Sequence, residues 1–388
     1  MDGRELELYL HIPFCIRKCA YCDFLSWAAS SEKQREYVEA LKREIRAWGE
    51  TGEYRVTSVF FGGGTPSVLP GEWLWELMEE VREAFSLETA AEISLEANPG
   101  TLDMGKLRAY RQAGINRVSL GCQSARDEEL ALLGRIHTYE EFLESYELVR
   151  RAGFSNVNVD LMSGLPGQRV RDWEESLEKI AALGPEHISA YSLIVEEGTP
   201  FASMELELPS EEEERLMYQR TGEVLGAWGY GQYEISNYAK PGFACRHNVG
   251  YWKRSPYLGL GLGAASLLGE CRWNNTSSLE AYLAGSGQPE SIRENWERLG
   301  RKEQMEEFCF LGLRMTEGID REEFQRLFGR SFQEVYGPVV QRYKTMGLLQ
   351  ESQGRVSLTS SGISVSNRIM ADFLLEEEQA GAGMPKSR

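Results

Sequence analysis

The sequence predicts an α/β fold: a (β/α)6 partial barrel of the TIM type, followed by a small α+β, winged-helix-like domain. Three observations carry this. From residue 6 to about 230, short β-rich runs alternate with longer amphipathic stretches, the pattern of βα units repeated around a parallel sheet. Gly114, Gly153 and Gly184 each fall just after a helical stretch and just before a strand, where a left-handed residue caps a helix. The units number six, with no seventh or eighth to close a full barrel.

In chain order, strands are expected at 5–12, 58–61, 92–96, 117–121, 156–160 and 187–193. Helices are expected near 31–49, 71–85, 103–113, 127–151 with a break, 171–183 and 210–228. Pro70 suits the first helical position and Ser210 an N-cap. Gly229-Tyr-Gly-Gln-Tyr-Glu-Ile-Ser-Asn-Tyr-Ala-Lys-Pro reads as one further strand and a loop. Between 301 and 375, three helical patterns, a hairpin around Gln353-Gly354 and a last helix give the winged-helix-like order. The chain thus divides into a core over 1–230, an extension over 231–300, the small domain over 301–375 and a disordered tail over 376–388.

Composition limits the function classes. A chain of 388 residues, 42% hydrophobic and 26% charged, is ordinary globular material for one large domain and one small one. Its longest apolar stretch, 257–269, has 13 residues and four glycines, short of the ~20 that span a bilayer. At most peripheral contact with membrane proteins is expected. With 42 Lys plus Arg against 60 Asp plus Glu, the formal charge of −18 opposes nucleic-acid binding. Residues 301–375 hold ten basic and ten acidic side chains, neutral where a DNA reader is basic. Seven cysteines, an odd number, point to a reducing cytoplasm rather than a disulfide framework.

Each strand hands over to a loop rich in polar or glycine residues, and in α/β barrels these loops build the ligand site. The first is Tyr9-Leu-His-Ile-Pro-Phe-Cys15-Ile-Arg-Lys-Cys19-Ala-Tyr-Cys22-Asp-Phe24, which puts three thiols within eight residues. Soft thiolates select iron–sulfur clusters or zinc. A cubane cluster takes four thiolates, so three would leave one iron with an open position. The zinc alternative needs a fourth ligand from elsewhere, such as His11, Cys122 or Cys245. After strand two comes Gly62-Gly63-Gly64-Thr65, whose missing side chains admit a ligand close to the backbone. Glu96 and Asp160 end strands three and five, and Gln123 follows strand four. Carboxylates there suit amino or ribose hydroxyl groups, or else cap helices.

The Cys-x-x-x-Cys-x-x-Cys loop with Tyr21 before its third cysteine resembles the radical S-adenosylmethionine (SAM) superfamily. Tyr9-Leu-His-Ile-Pro-Phe-Cys15 is more narrowly similar to the oxygen-independent coproporphyrinogen III oxidase-like group. The resemblance implies a (β/α)6 core, a [4Fe–4S] cluster on Cys15, Cys19 and Cys22, and SAM on the open iron, cleaved after one-electron reduction to a 5′-deoxyadenosyl radical. It implies SAM contacts at Tyr9, Gly63 and Glu96, and a second set at Tyr21, Gly64, Thr65, Gln123, Arg135, Asp160 and Ile194.

Cys245-Arg-His-Asn-Val-Gly-Tyr-Trp252 sets His247 beside two aromatic rings, a setting that suits a haem as well as a structural histidine. His247-Asn248-x-x-Tyr251-Trp252, with the glycine-rich 257–266 that follows, resembles a signature of haem chaperones in this group. That resemblance implies haem as cargo, His247 on it, with Cys245 as a second candidate, and delivery to haem-requiring respiratory apoproteins. A homodimer linked through cluster or haem is compatible with it. The other reading is a coproporphyrinogen dehydrogenase that oxidatively decarboxylates two propionates, and a third is a radical SAM enzyme with another substrate. Two departures count against the dehydrogenase: its motif continues to a fourth cysteine where this chain has Phe24, and its N-terminal extension is expected to be longer than the eight residues before Tyr9.

Overall fold

The computed structural model describes residues 4–51 and 54–376. The tail expected over 376–388 lies, from 377 onward, outside them. Six strands, β1 (Arg4–Ile12), β2 (Tyr54–Gly63), β3 (Ser86–Ala97), β4 (Arg117–Gln123), β5 (Val157–Ser163) and β6 (His187–Ser192), stand side by side in chain order, all parallel. The helices between them are α1 (Ser31–Gly49), α2 (Gly71–Ala84), α3 (Met104–Gln112), α4 (Asp127–Leu132), α5 (Tyr139–Arg151) and α6 (Val170–Leu183), with α7 (Glu211–Ala227) after β6. This is the expected core: β1 to β4 run one to six residues beyond their expected ends, β5 starts one residue late and ends three late, and β6 stops one residue short.

Local chemistry explains the helix ends. Ser210 caps α7 in a capping box with Glu213, and Thr138 does the same for α5 with Glu141. Gly114, Gly153 and Gly184 all have the positive φ that ends a helix. Pro70 sits one place earlier than expected: it is the extended N-cap of α2, and Gly71 takes the first helical position.

Strand alternation sorts the core into two layers. One face carries Leu6, Leu8, Leu10, Val59, Phe61, Ile93, Leu95, Val118, Leu120, Val159 and Ile188, which pack in one cluster with Tyr37, Leu41 and Ile45 of α1 and with the other helices. The opposite face is polar: Glu7, Tyr9 and His11 on β1, Glu92, Ser94 and Glu96 on β3, Arg117 and Ser119 on β4, Asn158 and Asp160 on β5, His187 and Ser189 on β6. An apolar outside and a polar inside give a barrel lined with hydrogen-bonding groups rather than filled with apolar side chains.

Residues 231–300 depart from expectation. Instead of one strand and a loop, they form β7 (Gly231–Glu234), β8 (Asn237–Ala239), α8 (Arg246–Trp252), β9 (Tyr257–Leu260), β10 (Ala265–Leu268), β11 (Cys271–Asn275), α9 (Leu279–Gly285) and β12 (Arg293–Arg298). These strands lengthen the same sheet at both edges, to the order β12-β11-β10-β9-β1-β2-β3-β4-β5-β6-β8-β7. Just past β9 a glycine lets the chain pass close to α1 and the end of β1: a Cβ on Gly261, at φ +104°, would stand 2.6 Å from the Tyr37 hydroxyl and 2.8 Å from the His11 carbonyl.

A buried carboxyl locks this edge. Glu44 of α1 accepts hydrogen bonds from the Gly261 amide (2.8 Å), Asn275 Nδ2 (2.6 Å) and the Tyr282 hydroxyl (2.7 Å). Burial pushes its pKa up to about 7 despite those donors. Glu44→Ala strands three buried donors, and the expected loss is about 3 kcal/mol of unfolding free energy in urea titration. A loss under ~1 kcal/mol would show that the edge does not depend on this carboxyl.

The remaining elements are α10 (Arg301–Gly312), β13 (Ile319–Asp320), α11 (Arg321–Phe328), α12 (Phe332–Thr345), β14 (Leu349–Ser352), β15 (Arg355–Leu358), α13 (Ser360–Ile363) and α14 (Ser366–Ala371). They have their own core around Met305, Phe324, Phe332, Tyr336, Val356 and Phe373, and their own sheet, β13-β15-β14. Among the described residues no helix is long and apolar enough to cross a membrane.

Candidate functional site

At the C-terminal ends of β1–β6 a cleft of about 330 Å³ gathers most of the residues singled out in the sequence. Cys15, Cys19, Tyr21 and Cys22 come from the loop after β1, Gly63, Gly64 and Thr65 from the end of β2, and Glu96 from β3. Gln123, Arg135 and Asp160 also line it. The structure also brings in Asn98, Ser119, Ser189, Tyr191, Asn237 and Asn248. Ser119 on β4 stands beside Glu96 and Ser189 on β6 beside Asp160 in the sheet register, an alignment that only the paired strands reveal; nothing local marked Asn237.

The cysteine loop is held against the glycine turn. The Gly64 amide donates to the Ile12 carbonyl (2.9 Å) and the Thr65 amide to the Phe14 carbonyl (2.7 Å). A Cβ on Gly64 would lie 2.7 Å from that Phe14 oxygen and 3.0 Å from Cys15 Sγ, so only glycine lets β2 approach this closely. His11 fixes the loop from below. Its Nε2 donates to the Leu25 carbonyl (3.0 Å), so Nδ1 is the acceptor for the Tyr9 hydroxyl (3.1 Å). Burial lowers the His11 pKa and keeps the ring neutral.

Polar hydrogens are aimed at two of the sulfurs. Asn98 Nδ2 donates to Thr65 Oγ1 (2.8 Å), which frees the Thr65 hydroxyl to donate to Cys15 Sγ at 3.5 Å. Arg135 Nη1 lies 3.7 Å from Cys19 Sγ, while its Nη2 bonds Asn98 Oδ1 (2.8 Å) and the Gly121 carbonyl (2.6 Å). Donors converging on free thiols are what thiolate ligands of an iron–sulfur core require. Among the described residues, no three His, Cys, Asp or Glu side chains are placed to hold a single metal ion. The named zinc partners are also committed elsewhere: both His11 nitrogens are bonded, Cys122 Sγ donates to the Ser124 carbonyl (3.2 Å), and Cys245 is buried against Glu92. The three thiols therefore fit a polynuclear cluster better than one ion.

Opposite the thiols stand two carboxyls. Glu96 accepts from the Gly63 amide (3.2 Å), and Asp160 from Ser119 Oγ (3.0 Å) and Asn158 Nδ2 (2.7 Å). Burial, reinforced by repulsion from Asp160, pushes the Glu96 pKa up to about 8. Burial raises that of Asp160 too, opposed by its hydrogen bonds. Two mutually repelling acids make a cradle for a cationic ligand with hydroxyl groups. At the strand end above them Gln123 adopts a left-handed φ of +56°, and its Oε1 accepts from the Tyr191 hydroxyl (3.1 Å).

Four expected residues are placed elsewhere. Tyr9 does not line the cleft; it packs beneath Gly62, with its hydroxyl committed to His11. Ile194 is 68% exposed and stands outside the cleft wall, because Leu193 and Val195 on either side turn in against the small core of Leu133, Met162, Leu165 and Phe201. His247 is 1% exposed at the other end of the barrel, with Nδ1 bonded to Ser58 Oγ (2.9 Å), Nε2 to the Tyr251 hydroxyl (3.0 Å), and its ring stacked on Phe60. Burial and the nearby Arg117 push its pKa down to about 3. Both nitrogens are used, so in this conformation it offers no axial bond to haem iron. Cys245 is fully buried with its Sγ 3.4 Å from Glu92 Oε1, and its thiol pKa is pushed up to about 12 by burial. The motif's place is structural: α8 plugs the barrel and turns Asn248, not His247, toward the cleft.

Comparison with known proteins agrees with this geometry. Residues 9–180 match the radical SAM superfamily and residues 299–365 the HemN C-terminal domain. The chain is 38% identical to the heme chaperone HemW of Bacillus subtilis (strain 168), over 95% of this chain and 99% of that one. It is 34% identical to the heme chaperone HemW of Escherichia coli (strain K12), over 96% of this chain and 98% of that one. The chain belongs to the HemW family. Among solved structures, the fold of this HemW-family chain is similar to coproporphyrinogen III oxidase (HemN) from Escherichia coli, a radical SAM enzyme, with a TM-score of 0.84 and 24% identity over 96% of this chain and 90% of that one. At that identity the likeness speaks for the fold.

Proposed function

We propose that this protein is a haem carrier on a radical SAM core, which binds haem and delivers it to haem-requiring respiratory apoproteins in the cytoplasm or at the membrane surface. Cys15, Cys19 and Cys22 hold a [4Fe–4S] cluster. SAM takes the cleft, its amino end toward Gly63 and Glu96, with Tyr21, Gly64, Thr65, Gln123, Arg135 and Asp160 around the rest. Bound together, cluster and SAM supply one-electron chemistry at the open iron. The chain's own residues bind and orient: Thr65 and Arg135 direct hydrogens at the thiolates, Glu96 and Asp160 face the ligand's cationic and hydroxyl groups, and Tyr9 and His11 hold the loop from beneath.

The observation that carries the carrier reading is Phe24. Where the dehydrogenase motif continues to a fourth cysteine, this chain sets an exposed phenyl ring on the cleft wall. Its full-length likeness to heme chaperones supports the same reading.

The test is a paired measurement on protein purified and reconstituted without oxygen. About one haem bound per chain, with no conversion of coproporphyrinogen, is expected. Robust formation of protoporphyrinogen would instead make the chain a dehydrogenase.

A further inference from the structure

All four histidines of the chain are buried. His11, His187 and His247 have both ring nitrogens hydrogen-bonded, and His137 bonds the Cys122 carbonyl (3.0 Å). A haem carried on this surface would find no imidazole there. The mouth of the cleft offers something else. Large apolar side chains stand exposed around it: Ile16 (55%), Phe24 (61%) and Ile136 (48%). Ile16 and Ile136 share the wall of a small cavity with Cys19, Thr65 and Arg135, and Phe24 lines the cleft itself. Exposed apolar side chains grouped around one opening mark a binding surface.

Charge accompanies them. Arg17 and Lys18 follow Ile16 directly and line the cleft. Arg17 bonds the Gly134 carbonyl (2.6 Å) and Lys18 the Phe24 carbonyl (2.8 Å), and each keeps further N–H groups free for a ligand. On a chain with a formal charge of −18, two adjacent cations beside an apolar rim select an anion with a flat apolar body. Haem has that form: an apolar macrocycle carrying two propionates at one edge.

We propose that haem docks across the mouth of the cleft, its macrocycle against Ile16, Phe24 and Ile136, its propionates on Arg17 and Lys18, and its iron on no histidine of this chain. The proposal rests on haem being the cargo. It also gives the carrier a route for release, since haem held by its faces and carboxylates leaves the iron open to the stronger axial ligand of an acceptor.

The experiment is an anaerobic titration with hemin, followed at the Soret band, with cluster iron measured on the same samples. Phe24→Ser and Ile16→Ser are expected to weaken haem binding by roughly tenfold each, the loss of one large apolar contact. Lys18→Glu should weaken it further and reduce its sensitivity to salt. All three keep the iron content of the cluster, and His247→Gln keeps the Soret position. Unchanged affinity in both rim variants, or loss of haem only in His247→Gln, would overturn the rim site and leave the carrier reading standing. No hemin binding by the unaltered protein would remove the carrier reading, and this site with it.

Discussion

In Cys19→Ala the broad iron–sulfur absorbance of the anaerobically reconstituted protein is lost, and iron content falls close to zero. Two thiolates cannot hold a cubane core that already lacks its fourth, and the structure offers no replacement. Cys122 and Cys245 are fully buried with their sulfurs turned to Ser124 and Glu92, and both nitrogens of His11 are occupied. The fold should survive, because Cys19 is half-buried on a loop and removing its sulfur opens no cavity in the main core. Apo stability is therefore expected to change by less than ~1 kcal/mol. Cys271→Ala is the control: this half-buried thiol sits on β11, far along the sheet from the cleft, and its loss should leave the iron untouched. Full absorbance in Cys19→Ala would defeat the three-thiol assignment.

The barrel was legible in the sequence because its signals are local and strong. Each βα unit pairs a β-rich run with a longer amphipathic helix, and Gly114, Gly153 and Gly184 mark the joints. The edges of the sheet were not legible, for physical reasons. The strands β7–β12 have only three to six residues each, too short for a period-two pattern to declare itself. The one glycine inside β9 hides it further, since Gly259 serves close approach to Ala264 and Ala265 at β10 rather than strand propensity.

The site divides in the same way. Cys15, Cys19, Cys22, Gly63, Gly64 and Glu96 were visible as motifs at strand ends, and the structure gathers them. The placement of His247 was not visible. A histidine beside Tyr251 and Trp252 looks the same in sequence whether the rings face a ligand or a barrel interior. What decides is the polar inner face of β1–β3, which supplies Ser58, Glu7 and Glu92 as neighbours for α8. That face is a tertiary fact. It also accounts for Asn248, which is carried to the cleft only because α8 plugs the barrel beneath it.

SAM affinity should rise with pH, and Glu96 should be the reason. With its pKa pushed up to about 8, the free protein holds this carboxyl protonated at neutral pH. A carboxyl whose folded pKa lies above its unfolded value destabilises the fold once the unfolded chain ionises. Its contribution is favourable below pH 4.5 and is lost as pH climbs toward about 8. A cation bound beside Glu96 reverses this, because it favours the carboxylate and displaces the proton. In the cluster-free protein, where no iron draws the proton from the ligand's amino group, SAM affinity should therefore increase between pH 6 and 7.5 by up to about tenfold per pH unit. Glu96→Gln removes both the charge and the proton. Its affinity for SAM is expected to be about ten- to a hundredfold weaker at pH 7.5, the loss of one charge-assisted contact, and nearly flat with pH over that window. Equilibrium binding of SAM to the cluster-free protein at several pH values decides the matter. An equal slope in Glu96→Gln would mean that the proton comes from another group, with Asp160, 3.0 Å from Ser119 Oγ and also raised by burial, the next to test.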